Sequence, residues 1–243
     1  MSKLRRVFLI LPLVVVCTSA ETRADSVRLQ GPLDGSSCVP FGCSPGTIYQ
    51  QVFDSGLFGS GLDLTGLDFF NTVADSGGDQ FIDPAQYEIW LSTTRAAVNG
   101  LSTTDFAANR GADSTRVFSG SLGGSVNGEV PPGPGTTLSF TWTTAFRYDP
   151  RLGNLLVEVR KTGGFFFGDD GTYLDFSSAL VGSSSVNDFF GSTSVGVSSG
   201  LLARLNGEPV EAAPVPEPAT LVLLGTGLAA VASRRRHVLR GRS

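Results

Sequence analysis

The sequence predicts an all-β protein, a β-sandwich of jelly-roll type, and three observations carry that prediction. Apolar and polar residues alternate in several segments, almost no run shows helical spacing, and Gly, Asn, Asp and Pro punctuate the chain at short intervals. A period of two turns one face of a strand toward a core and the other toward water. Short strands separated by turn residues are the usual makings of packed antiparallel sheets.

Along the chain, "TIYQQVF" and "LTGLDFFNTV" read as the first strands. "QYEIWLSTT" follows with Tyr87, Ile89 and Leu91 inward. "LSTTDFAANRG" is the one helical candidate, with Ser102 or Thr103 capping a turn or two before Gly111 ends it. "TRVFSGSL" is again a strand, and "TTLSFTWTTAFRYD" puts Leu138, Phe140, Trp142, Thr144 and Phe146 on one side. "NLLVEVRKT" presents Leu155, Val157 and Val159 on one face, with Glu158 and Arg160 on the other. "GTYLDF", "STSVGV" and "GLLARLN" complete about nine or ten strands. No internal repeat appears.

The ends differ from this middle. Lys3, Arg5 and Arg6 precede the apolar run "VFLILPLVVV", and small residues follow at Thr18, Ser19 and Ala20. That is the layout of a secretory signal peptide over residues 1–24, cleaved after Ala20 or Ala24. A lipoprotein signal would use Cys17, but Val16 stands where a small residue is wanted. The passenger domain is then expected over residues 25–205, followed by a Pro-rich linker at 206–218.

Charge and composition exclude several function classes. Between Asp25 and Ala213 there are nine basic residues (Arg28, Arg95, Arg110, Arg116, Arg147, Arg151, Arg160, Lys161 and Arg204) against twenty acidic ones. Such a surface offers phosphates no electrostatic footprint, so nucleic acid is not an expected partner. The single histidine, His237, lies in the C-terminal tail, leaving the passenger without imidazole for Ser-His-Asp or Cys-His catalysis or for His-ligated metals. No catalytic or cofactor-binding residue is nominated. Cys38 and Cys43, spaced C-x4-C in a Pro/Gly-rich loop, are expected to form a disulfide in an oxidising compartment.

The remaining candidates each have a plainer reading. Asp75, Asp79 and Asp83 in "DSGGDQFID", and Asp169, Asp170 and Asp175 in "GDDGTYLD", are the residues a Ca2+ site would use. Neither stretch matches the D-x-D-x-D-G loop, and solvated turns account for both. Tyr49, Trp90, Tyr148 and Phe165 to Phe167 look exposed and are candidate sugar-stacking aromatics, while alternation places several of them in the core instead, Trp142 above all. Arg147, Asp149 and Arg151 around Pro150 read as a turn rather than a ligand loop. Three function classes follow: a non-catalytic surface protein, a Ca2+-assisted carbohydrate-binding module, and a glycosidase-like enzyme working through a carboxylate pair.

In "VPEPATLVLLGTGLAAVASRRR", Pro216, Glu217 and Pro218 precede an uncharged segment at 219–233, in which ten of fifteen residues are Ala, Val or Leu. Arg234, Arg235 and Arg236 follow. As a helix the segment spans roughly 22 Å, short of a bilayer core but compatible with local thinning and snorkelling arginines. The arginines keep the tail cytoplasmic and the passenger on the export side. This arrangement, over residues 216–243, resembles the PEP-CTERM sorting signal of Gram-negative bacteria. The resemblance implies recognition by an exosortase and the export machinery, transit through the inner membrane, removal of the tail, and delivery to a cell surface or matrix associated with exopolysaccharide. Phrases of the middle, among them "YQQVFDSGLF" and "FRYDPRLGNLLVEVRKTGG", are similar to those of exported bacterial β-sandwich domains, which implies a fold and a location but no reaction.

Overall fold

The computed structural model describes residues 25–42, 48–72, 80–126, 138–162, 171–189 and 192–210. Thirteen strands run through them: β1 (Asp25–Arg28), β2 (Gly35–Ser37), β3 (Ile48–Phe53), β4 (Leu62–Phe69), β5 (Gln80–Thr94), β6 (Thr115–Val126), β7 (Leu138–Tyr148), β8 (Asn154–Thr162), β9 (Leu174–Ser177), β10 (Ser183–Phe189), β11 (Ser192–Gly196), β12 (Gly200–Leu201) and β13 (Ala203–Pro209). They form a four-stranded sheet in the order β1-β13-β4-β7, a six-stranded sheet in the order β11-β10-β3-β8-β5-β6, and a small sheet β12-β9-β2. The strand pairs are antiparallel. The protein is all-β.

The period-two segments are strands, and the differences have local causes. β8 coincides with "NLLVEVRKT", while β5 starts well before "QYEIWLSTT". Pro84 lacks the N–H of a regular ladder, and the register shift between Ile82 and Ala85 accommodates it. β10, "SSSVNDF", shows too little apolar alternation to announce itself. The helical candidate is only a 3-10 turn at Ala107–Asn109. Ser102 Oγ accepts the Asp105 N–H, and Asp105 Oδ1 accepts those of Ala107 and Ala108, so side chains satisfy the donors of that one turn. β13 continues to Pro209, so the linker expected from Asn206 begins later than the composition suggested.

One apolar cluster takes side chains from all three sheets. Leu138, Phe140, Trp142 and Phe146 are buried as the alternation requires, while Thr144 on the same row is exposed. The Phe41 ring sits 5.5 Å from Phe69, 5.9 Å from Phe140 and 5.4 Å from Tyr87, so rings from β4, β7 and β5 converge on one residue of the Cys38 turn. Each such side chain contributes about 1.5–3 kcal/mol by leaving water. Close backbone approach lets that turn dock: a Cβ on Gly42 would lie 2.2 Å from the Thr172 carbonyl oxygen, and one on Gly171 would lie 1.9 Å from that of Gly42. Tyr49 and Tyr148, expected among exposed aromatics, are buried. Burial pushes both phenols above their ordinary pKa.

Candidate functional site

Two regions of the six-stranded sheet gather polar side chains. On its outer face, the connection between β5 and β6, residues 95–114, folds over β3 and β8. Gln50 on β3 donates to the Phe106 carbonyl at 2.9 Å and to Glu158 on β8, and its Oε1 accepts from Asn109 Nδ2 at 2.7 Å. Asn109 Oδ1 accepts from the Ser102 N–H at 2.7 Å, and its own carbonyl accepts from Thr94 Oγ1 at 2.6 Å. Arg110 Nε reaches Glu158 Oε2 at 2.7 Å, and Arg160 takes the other carboxylate oxygen. The loop thus satisfies the polar groups that its own presence buries.

At the edge of this network Trp90 lies beside two guanidinium groups, Arg160 at 4.2 Å and Arg116 at 5.8 Å from its ring centroid. Its indole N–H donates to Glu88 at 2.9 Å, and Arg116 pairs with the same carboxylate at 2.6 Å. Those two donors hold the Glu88 carboxyl below its ordinary pKa. Every carboxylate of the cluster is matched by a cation, and the geometry tethers the loop and orients Trp90.

The second region is a cavity of about 380 Å³ beside the small sheet and the β10–β11 hairpin. Tyr49, Tyr173, Phe176, Ser185, Asn187 and Val195 are among its walls, and among the described residues no charged side chain lines it. The Tyr49 hydroxyl donates to Gln51 Oε1 at 2.5 Å and accepts from the Leu201 N–H at 3.1 Å, so that wall is rigid. Neutral hydroxyl and amide groups beside aromatic surface suit an uncharged, polyhydroxylated ligand.

Of the acidic candidates, the structure describes Asp83 and Asp175. Asp83 is buried on β5 and paired with Lys161; Asp175 is buried on β9 and accepts from the N–H and Oγ1 of Thr72 at 2.8 and 2.7 Å. Neither is a solvated turn residue. Asp75, Asp79, Asp169 and Asp170 lie outside the described residues, as do Phe165 to Phe167. Among the described residues, no group of three His, Cys, Asp or Glu side chains is placed to hold a metal ion. Asp149 accepts from the backbone N–H and guanidinium of Arg151 in an exposed turn. Cys38 is disulfide-bonded, and its expected partner, Cys43, lies outside the described residues. Trp142 is in the core, its indole N–H donating to the Leu64 carbonyl at 2.7 Å.

Pro216, Glu217, Pro218, the segment 219–233 and Arg234 to Arg236 also lie outside the described residues, among which no helix is long and apolar enough to cross a membrane. Comparison with known families decides what that tail is. Residues 214–236 match the model of the PEP-CTERM protein-sorting motif. This is a PEP-CTERM domain-containing protein. The motif implies export across the membrane to the cell surface and processing by an exosortase. For the PEP-CTERM protein as a whole, no curated protein and no solved structure gives a match.

Proposed function

We propose that this PEP-CTERM protein is a non-catalytic passenger of the cell surface or extracellular matrix, passing through the inner membrane, trimmed by an exosortase and associated with exopolysaccharide. The single observation that carries the reading is the sorting motif at 214–236 behind a strand-rich domain. We read the layering of that domain as a β-sandwich of jelly-roll type, because strands of the four-stranded and six-stranded sheets share one apolar cluster. Replacing Pro216, Glu217 and Pro218 with Ala tests the function. Export should persist, since the signal peptide is untouched, while the full-length chain accumulates in the inner membrane. Wild-type surface material, from a host with an exosortase, should lack the peptide running through Arg234. Finding that peptide intact there would sink the proposal.

The neutral cavity favours a second reading, a carbohydrate-binding module, aided by Ca2+ at the "DSGGDQFID" or "GDDGTYLD" loops. Oligosaccharide binding that weakens at least tenfold in Tyr173→Ala and Asn187→Ala supports it. A melting midpoint raised by Ca2+ and lowered by chelator supports the metal. Hydrolysis of the same oligosaccharides would instead point to the glycosidase class.

A further inference from the structure

The chain has two lysines, Lys3 in the expected signal peptide and Lys161 in the passenger; every other basic residue between Asp25 and Ala213 is arginine. Arginines serve the ion pairs of Glu158, Glu88, Asp149 and Asp68. Lys161 alone is placed on the inner face. It shares the inward parity of Leu155, Val157 and Val159 on β8, stands opposite Tyr87 on β5, and its side chain is 2 % exposed. Its ammonium meets the Asp83 carboxylate, whose side chain is fully buried. The Asp83 backbone is held at both ends: its N–H donates to the Phe41 carbonyl at 2.7 Å, and its own carbonyl accepts from the Tyr87 hydroxyl at 3.1 Å. A buried ion pair is an expensive way to join two strands, since both charges lose their hydration. A primary amine touching a carboxyl group, positioned and shielded from water, is also the pair of groups that forms an amide. Arginine in that place does not offer this chemistry, because its guanidinium stays protonated.

We propose that Lys161 and Asp83 become joined by an intramolecular amide bond, a covalent tie between β8 and β5 inside the folded domain. The proton moves from the Lys161 ammonium to the Asp83 carboxylate, giving a neutral amine and an acid. Nζ then attacks Cγ, the Nζ–Cγ bond forms, one Cγ–O bond breaks, and the departing oxygen leaves as water with two of the three ammonium hydrogens. The third stays on the amide nitrogen. No oxidant, reductant or activating group enters. Fixed contact supplies the effective concentration, and exclusion of solvent opposes the reverse hydrolysis.

The test uses the exported protein, reduced, denatured and digested with trypsin. The expected product is a branched peptide, with Leu29–Arg95 joined to Lys161–Arg204, lighter than the sum of its parts by one water and uncut after Lys161. Dilute acid gives an independent readout. It cleaves Asp–Pro bonds with the help of the free Asp carboxyl, and the chain contains both Asp83–Pro84 and Asp149–Pro150. Amide formation should spare the first and leave the second cleavable. Asp83→Ala and Lys161→Arg, where they fold, should abolish the branched peptide. The wild-type digest decides even where they do not. Free cleavage after Lys161, with comparable acid cleavage at both Asp–Pro bonds, would overturn the proposal, as would a water loss mapped to any other residue.

Discussion

On one face of β8, Leu155, Val157 and Val159 enter the apolar cluster; on the other, Glu158 is equally buried but lies beneath the 95–114 connection. The first face excludes water with rings and aliphatic groups that need no partner. The second does so with side chains that need one each, and the loop supplies them through Asn109, Arg110 and the Phe106 carbonyl. Burial without partners is tolerated by hydrocarbon and penalised for amides and carboxylates. The outer face is therefore a polar interior that exists only while the loop is docked, whereas the inner face is sustained by many interchangeable contacts. Lys161 and Asp83 are the charged exception, an ion pair placed on the inner side.

The comparison can be broken most directly at that exception. Asp83→Ala leaves Lys161 buried with neither its carboxylate nor the amide tie proposed above, and should cost at least about 3–5 kcal/mol in urea denaturation. A loss below about 1 kcal/mol would mean that the inner face can absorb a lone ammonium, and the contrast would fail. Next in size is Asn109→Ala, which strips Gln50 and the Ser102 N–H of their partner. About 2–3 kcal/mol should be lost. Hydrogen exchange should accelerate across residues 95–114, with β5 and β8 still protected; uniform acceleration would show the loop and the sheet to be one cooperative unit.

Trp142→Phe sharpens the comparison from the apolar side. It removes only the indole N–H that serves the Leu64 carbonyl, with a little volume, and about 1–2 kcal/mol is expected. Thermal unfolding should show a lowered midpoint, and a loss equal to that of Asp83→Ala would remove the ranking. The smallest effect belongs to the exposed Asp149 turn. Hydrogen bonds from the Arg151 side chain and backbone N–H hold the Asp149 carboxyl at about 2, below its ordinary value. A depressed folded-state pKa contributes stability above the unfolded value and loses it as pH falls toward the folded one. The difference between wild type and Asp149→Asn should therefore be present near neutral pH, shrink as the solution is acidified through the carboxylate range, and be weaker in high salt. A difference that grows on acidification would reverse the sign and refute the assignment.

The inner faces of β5, β7 and β8 were legible because an apolar residue at every second position has one economical placement, and the structure buries Tyr87, Ile89, Leu91, Phe140 and Val157 together. Tyr49 and Tyr148, exposed-looking candidates for stacking on sugars, follow the placement that alternation gives several of those aromatics and are buried. Each is buried because a specific backbone partner reaches it, the Leu201 N–H for one and the Gly153 carbonyl for the other. Glu158 and Arg160 were assigned to the opposite face of β8 correctly. What covers that face was invisible, because "LSTTDFAANRG" shows a capped turn but not where the turn lands. β10 was missed for a related reason: Ser183 Oγ donates to the Val52 carbonyl and Ser184 Oγ accepts from the Asn99 N–H, so its serines are buried by neighbours distant in sequence.

By itself the sequence determined the strand-rich class, the acidic passenger and the C-terminal PEP-CTERM signal, because each is written in residues adjacent along the chain: alternation, local charge, and Pro-Glu-Pro before an uncharged run and three arginines. Only the tertiary structure decided which polar side chains are interior. Asp83 meets Lys161, Gln50 meets Asn109 and Glu158 meets Arg110 across separations of 78, 59 and 48 positions. The physical reason is that a charge or an amide is stable inside a protein only beside its complement. Which complement arrives is a property of sheet order and loop docking, not of the residues on either side of it in the chain.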